Sequence, residues 1–91
     1  MPMAFLAWFA PASYAAHRVL DPIGLPRRFD QWRRRAEEIE RLAEAQGFTV
    51  RRVLLDPEHL AAWCEARGTD VNSQARSTLA ATLGAQRQRE G

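Results

Sequence analysis

The chain has 91 residues, of which 46% are hydrophobic and 26% are charged, and its formal net charge is +2. This length predicts one domain over residues 1–91 with a small core, and this composition excludes a chain that is disordered throughout. The low net charge does not by itself predict binding to nucleic acid, while a single cysteine, Cys64, excludes an internal disulfide and favours a cytoplasmic protein.

Residues 1–20 fit either of two structures. Their apolar side chains could line one side of a helix, or they could belong to a strand over residues 6–9. Pro11 either breaks such an element or starts a second one. The apolar run is too short to cross a bilayer, so no membrane partner is expected. The apolar residues concerned are Phe5, Leu6, Trp8 and Phe9.

The next segment, residues 12–20, is rich in alanine and is predicted to be helical. Its larger apolar residues, Tyr14, Val19 and Leu20, are expected to point inward. Two prolines and one glycine follow in DPIGLP, residues 21–26, which predicts a loop.

Residues 30–46 form the clearest predicted helix. Asp30 is the expected N-cap, and Gly47 stands where a C-cap glycine is expected. The spacing of the apolar residues places them on one helical face, which is expected to face the core. This face consists of Trp32, Ala36, Ile39, Leu42 and Ala43.

The segment FTVRRVLLD, residues 48–56, is rich in β-branched and apolar residues and is predicted to be a strand. Its apolar residues change parity along the segment, so either both faces are partly covered or a bulge at Arg51 and Arg52 switches the faces. Two partners remain open for this strand. One is an N-terminal strand, reached by a β-α-β crossover over the helix 30–46, and the other is the same strand in a second copy.

Two further helices are predicted after the strand. The first covers residues 56–68, with Asp56 as N-cap, Pro57 in the first turn and Gly68 at the end. The second covers about residues 72–83 and leaves residues 85–91 as a frayed tail. The fold is therefore predicted to be α+β and mainly helical, with three to four helices and a small strand element near residues 48–55. The inward positions of the two helices are Leu60, Trp63, Cys64, Val71, Ala75, Leu79 and Leu83.

Arginine is concentrated in PRRFDQWRRRAEEIER, residues 26–41, and all 13 basic residues of the chain are arginine. One hypothesis is a nucleic-acid contact, in which arginines follow phosphates and nearby aromatic rings stack on bases. However, Glu37 and Glu38 lie four residues after Arg33 and Arg34, which is typical of a solvated helix surface with local ion pairs. The arginines assigned to the nucleic-acid hypothesis are Arg27, Arg28, Arg33, Arg34, Arg51, Arg52 and Arg76.

The last two predicted helices also invite comparison with a helix-turn-helix, with its turn at residues 68–70. Polar residues would then occupy positions where the second helix must be buried, so the match is poor. The side chains that would read bases are Asn72, Ser73, Gln74, Arg76 and Ser77.

Catalysis finds little support in this sequence. His59 and Cys64 are five residues apart on a helix, so their side chains diverge and suit neither a catalytic dyad nor a metal site. The five glycines are scattered, which excludes a glycine-rich phosphate loop. We therefore expect no enzymatic activity, no metal and no cofactor.

The sequence holds more large aromatic residues than so small a core is expected to bury. Phe5, Trp8 and Phe9 are therefore predicted to form exposed binding anchors or a homodimer contact. The expected function is a small, non-catalytic protein–protein interaction module, with a protein partner or a second copy. It could be an accessory protein of a bacterium or mobile element that modulates a larger complex. The alternative is a nucleic-acid-binding regulator that uses the arginines or the last helix.

Overall fold

A computed structural model describes residues 2–90, and helices, with the short 3-10 turn included, take up 63% of these residues. The prediction of an α+β, mainly helical fold is confirmed, since four helices accompany a two-stranded sheet in the described part. In chain order the elements are β1 (Met3–Trp8), a short 3-10 turn (Pro11–Ser13), α1 (Tyr14–Leu20), α2 (Phe29–Ala45), β2 (Thr49–Leu54), α3 (Pro57–Arg67) and α4 (Ser73–Glu90).

The sheet joins the two ends of a β-α-β crossover. β1 and β2 are parallel, and their register runs without a bulge from Met3 opposite Thr49 to Trp8 opposite Leu54. Of the two partners open for β2, the N-terminal strand is the one observed. The connection contains α1 and α2, as a parallel pair requires a long crossover.

Helices cover both faces of this sheet. On one face, the Trp8 ring meets the Trp32 ring of α2 at 5.2 Å between centroids. On the other face, the Phe5 ring lies directly beneath Gly84 of α4. Both faces are therefore partly covered, and the bulge considered from the sequence is absent from the ladder. The alternation of side chains along a strand explains why neighbouring residues contact different helices.

The core lies mainly between the sheet, α1, α3 and α4, and aromatic rings fill much of it. Three predicted inward residues are instead exposed: Val19 is 81% exposed, Ile39 is 56% exposed and Leu42 is 58% exposed. The short α1 directs Tyr14 and His17 into the core, which leaves Val19 outside. The helix α2 has 17 residues and only two strands beneath it, so the sheet is too narrow to cover its whole apolar stripe.

Helix ends follow the predicted capping signals only in part. Asp56 caps α3 by accepting a hydrogen bond from the His59 N–H at 2.9 Å, and Gly68 ends the helix in the left-handed conformation, as expected. In contrast, α2 begins at Phe29 with Arg28 as N-cap, so the prediction of Asp30 as N-cap is wrong. Asp30 lies in the first turn of the helix.

The last helix continues beyond its predicted end. α4 runs through Gly84 to Glu90, whereas the sequence predicted an end near Leu83 and a frayed tail. The glycine does not end the helix here. It provides the space in which the Phe5 ring packs against the helix backbone.

Candidate interaction groove

The predicted aromatic anchors do not form an exposed cluster. Trp8 is 9% exposed and Phe9 is 2% exposed, and Phe5 is half-buried beneath α4. Phe9 packs against the Trp32 ring at 4.6 Å and the Tyr14 ring at 5.9 Å between centroids. The prediction that Trp8 and Phe9 are exposed is therefore wrong, because both rings pack against other aromatic rings in the interior.

Most arginines at the start of α2 have acidic partners. Arg28 binds Asp30 at 2.9 Å, and Arg34 approaches the same carboxylate at 3.8 Å. Arg33 contacts Glu37 at 3.5 Å. The hydrogen bond from Arg28 holds the pKa of Asp30 below its ordinary value. These ion pairs reduce the attraction of the arginine-rich segment for phosphates, because the negative charges of the acids offset the positive charges of the arginines.

Arg52 is held in a bidentate ion pair on the surface. Its guanidinium donates to the Glu40 carboxylate at 2.7 and 2.8 Å and lies 3.9 Å from the centre of the Trp8 ring. The hydrogen bond lowers the pKa of Glu40 and raises that of Arg52. Within residues 2–90, neither Arg27 nor Arg51 forms such an ion pair.

Arg76 lies in the interior. It is 7% exposed and pairs with Asp21 at 2.6 Å, which connects α4 to the loop after α1. Asn72 accepts a hydrogen bond from the Ala75 N–H at 2.9 Å at the start of α4. Arg76 and the Asn72 side-chain oxygen are thus used within the fold, so the assignment of Arg76 as an exposed contact to nucleic acid is wrong.

The outer edge of β1 carries unpaired backbone groups. Thr49 donates to the Pro2 carbonyl at 2.8 Å and Leu55 donates to the Trp8 carbonyl at 3.0 Å, so even-numbered residues of β1 face β2. Backbone bonding alternates along a strand, which directs the N–H and C=O groups of Phe5 and Ala7 away from β2. No group within residues 2–90 hydrogen-bonds to them on that side.

The last part of this edge, residues 6–8, and Phe9 directly after it form the floor of a groove of about 340 Å³, which we call the β1 groove. Consecutive residues of the strand contribute to it, as expected when a strand shows its edge rather than one face. The helix α2 forms one wall and the start of α4, with the loop before α2, forms the other. The wall residues are Trp32, Arg35, Ala36, Ile39, Ser73, Arg76 and Ser77, with Gly24, Leu25 and Pro26 from the loop.

The two open edges of the sheet differ in charge. β2 contains Arg51 and Arg52, both exposed, and charged residues of this kind protect an edge from pairing with other chains. β1 has no charged residue from Met3 to Trp8. The unprotected edge is therefore that of β1. In the sequence, the signal for this edge is the uncharged run MAFLAW. The run could not be recognised as a strand edge, because residues 1–20 fitted both a helix and a strand.

Two titratable groups, His17 and Cys64, are buried in the core. His17 is 1% exposed, and one ring nitrogen, Nε2, lies 3.2 Å from the Leu55 carbonyl while Nδ1 has no partner in the described chain. Burial lowers the pKa of His17 and raises that of the Cys64 thiol, which keeps both groups neutral. Residues 2–90 contain no group of three or more histidine, cysteine or acidic side chains placed to hold a metal ion.

No protein-family model matches the chain, and comparisons with curated proteins and with solved structures found no match. Among the described helices, none is both long and apolar enough to span a membrane. The β1 groove is thus the candidate site, on the evidence of its own geometry.

Proposed function

We propose that the chain is a non-catalytic protein–protein interaction module that forms a homodimer by pairing two β1 edges in antiparallel orientation. The observation that carries this proposal is the open, uncharged edge of β1 at the floor of a groove. Unpaired strand edges are templates for another strand, and such pairing supplies main-chain hydrogen bonds.

The residue pattern of β1 is complementary to itself. In an antiparallel pair centred on Leu6, Phe5 lies opposite Ala7 of the partner subunit, and Ala4 lies opposite Trp8 of the partner subunit. Each large ring then has a small neighbour across the interface. The direction of the backbone groups also suits this pairing. Phe5 and Ala7 both direct their N–H and C=O groups away from β2, so Phe5 of one subunit and Ala7 of the partner subunit would exchange N–H···O bonds.

Exposed residues of α2 support the same interface. Ile39 is 56% exposed and lines the β1 groove, and Leu42 is 58% exposed one turn further along the helix. A two-fold axis perpendicular to the sheet places both copies of α2 on the same side of the joined sheet. Their exposed aliphatic side chains could then cover each other. A two-stranded sheet is marginally stable alone, and the pairing would give a sheet of four strands.

The first test replaces Ala7 with proline. This removes an N–H that points out of the sheet, so the ladder between β1 and β2 keeps its bonds. We expect the dimer dissociation constant to rise at least about tenfold, which corresponds to about 1.4 kcal/mol. The matched control is Val50→Pro, which removes an outward N–H at the opposite, β2 edge and should leave the dimer intact.

Light scattering and sedimentation equilibrium over the micromolar to millimolar range measure this constant, and circular dichroism checks that each variant folds. The substitution Ile39→Glu gives an independent test, because it places two negative charges across the proposed interface without burying either in the monomer. A wild-type chain that remains monomeric throughout this range refutes the proposal. A dimer that tolerates both Ala7→Pro and Ile39→Glu refutes the β1 interface.

Nucleic-acid binding stays a second candidate because of one other groove. Arg51 and Arg87 line a depression of about 400 Å³ beside α4 that contains no acidic residue. Fluorescence anisotropy with duplex DNA at two salt concentrations tests it, since phosphate contacts weaken steeply as salt rises. No binding at low salt, or equal binding by Arg51→Gln/Arg87→Gln, removes this candidate. The wider role as a cytoplasmic accessory protein of a bacterium or mobile element is supported only by size and arginine content.

A further inference from the structure

A second surface, which shares no lining residue with the β1 groove, combines exposed apolar groups with arginine. It is a shallow concavity of about 520 Å³ formed by α1, the loop after it and the start of α2. Val19 borders it and is 81% exposed, and Ile23, next to the lining residue Pro22, is 98% exposed. We call this the α1 surface; its lining residues are Pro11, Tyr14, Ala15, Arg18, Val19, Pro22, Arg27 and Phe29.

The two cations of the α1 surface lack acidic partners. Within residues 2–90, neither Arg18 nor Arg27 forms an ion pair. Arg18 makes one long hydrogen bond, from Nη2 to the Pro22 carbonyl at 3.4 Å, and its Nε is buried without a partner. The acids closest in sequence are engaged elsewhere, because Asp21 pairs with Arg76, and Asp30 pairs with Arg28 and Arg34.

The floor of the α1 surface is held in place by the core. The Tyr14 hydroxyl donates to the Pro26 carbonyl at 2.5 Å, and the Tyr14 and Phe29 rings meet edge to face at 5.5 Å. The floor is therefore ordered before any partner binds, which reduces the entropy lost on binding. Aromatic and arginine side chains around a small apolar area are the composition that protein interfaces favour.

From these observations we infer that the α1 surface binds an acidic segment of a partner protein, with an aliphatic or aromatic side chain placed against Val19 and Ile23. Carboxylates beside that side chain bind Arg18 and Arg27. Charge complementarity selects this partner, because the surface offers two unpaired cations and no anion. The α1 surface and the β1 groove both use the loop before α2 but share no lining residue, so a dimer would present two copies of the α1 surface.

The experiment selects binders from a random-peptide display library on the immobilised wild-type protein. We expect the enriched peptides to carry aspartate or glutamate beside a large apolar residue. Arg27→Gln and Ile23→Ser should each weaken binding of a selected peptide at least about tenfold. Both side chains are exposed and Arg27 forms no ion pair within residues 2–90, so these variants are expected to fold.

Matched controls lie on other faces of the molecule. Arg41→Gln removes another exposed arginine, and Leu54→Ser removes another exposed aliphatic side chain, so both should leave peptide binding unchanged. The Ala7→Pro variant should also bind as the wild type does, whether or not the chain dimerises. Failure to enrich any peptide, enrichment of basic peptides, or acidic peptides that bind equally to Arg27→Gln and Ile23→Ser would each overturn the inference.

Discussion

Gly84→Ala tests the packing of α4 against β1. On an exposed helix surface this change stabilises a protein by about 1 kcal/mol, because alanine has the higher helix propensity. Here an added Cβ would lie 2.5 Å from Cγ and 2.8 Å from Cε1 of the Phe5 ring, whereas ordinary contacts begin near 3.4 Å. Overpacking of this kind costs about 1–3 kcal/mol. The expected net effect is a loss of about 1 kcal/mol in the free energy of unfolding.

Urea unfolding followed by circular dichroism measures the change, and a loss of this size lowers the melting temperature by about 4–8 °C for a domain of this length. Ala85→Gly, at the next and exposed position, is the propensity control and should cost about 1 kcal/mol. In a Phe5→Ala background, Gly84→Ala should become stabilising, because the ring that it meets is gone. A stabilisation of about 1 kcal/mol in both backgrounds would show that Phe5 does not lie beneath this helix.

Three other substitutions test the caps, the buried ion pair and the buried histidine, each by urea unfolding. Asp56→Ala should cost about 1 kcal/mol, since the first turn of α3 loses its acceptor; an unchanged midpoint would contradict the cap. Asp21→Asn should lower the free energy of unfolding by about 3 kcal/mol, because Arg76 keeps its charge in the interior. Adding Arg76→Met to that variant should recover part of the loss. Equal stability of the wild type and Asp21→Asn would contradict a buried pair. His17 has a pKa below its ordinary value in the folded chain, so the unfolded chain takes up the proton first as pH falls below about 6.5. The free energy of unfolding should be constant above that pH and fall below it by at most about 1.4 kcal/mol per pH unit, and His17→Gln should remove this dependence.

The helices and strand that depend on local signals could be predicted from the sequence. Asp56, Pro57 and Gly68 define α3 because each satisfies a geometric need of a helix end within a few residues. The strand near residues 48–55 followed from its β-branched composition. The same local argument predicted a helix end near Gly84, which is wrong. A glycine occupies this position because the Phe5 ring packs against it, and Phe5 is far away in the sequence.

The candidate site was less accessible to sequence reasoning. An open strand edge depends on how many strands the sheet contains, which no local pattern reveals. The partners of Arg52 and Arg76 lie 12 and 55 residues away, so their charges looked free in the sequence. Helical spacing predicted pairs of Arg33 with Glu37 and of Arg34 with Glu38. The first is observed, whereas Arg34 approaches Asp30 on the preceding turn.

The sequence contained more apolar volume than a small core can hold, and the structure shows which residues the core excludes. Most of the rings are retained, and Phe9 stacks between neighbours, with centroids 4.1 Å from His17 and 4.6 Å from Trp32. An aromatic side chain buries more surface than an aliphatic one, and ring pairs add a stacking contribution. Aliphatic residues are therefore left outside, among them Ile23 and Ile39. Ile39 lines the β1 groove, and Ile23 lies next to Pro22 of the α1 surface. Both proposed binding surfaces therefore lie where the filled aromatic core leaves aliphatic side chains exposed.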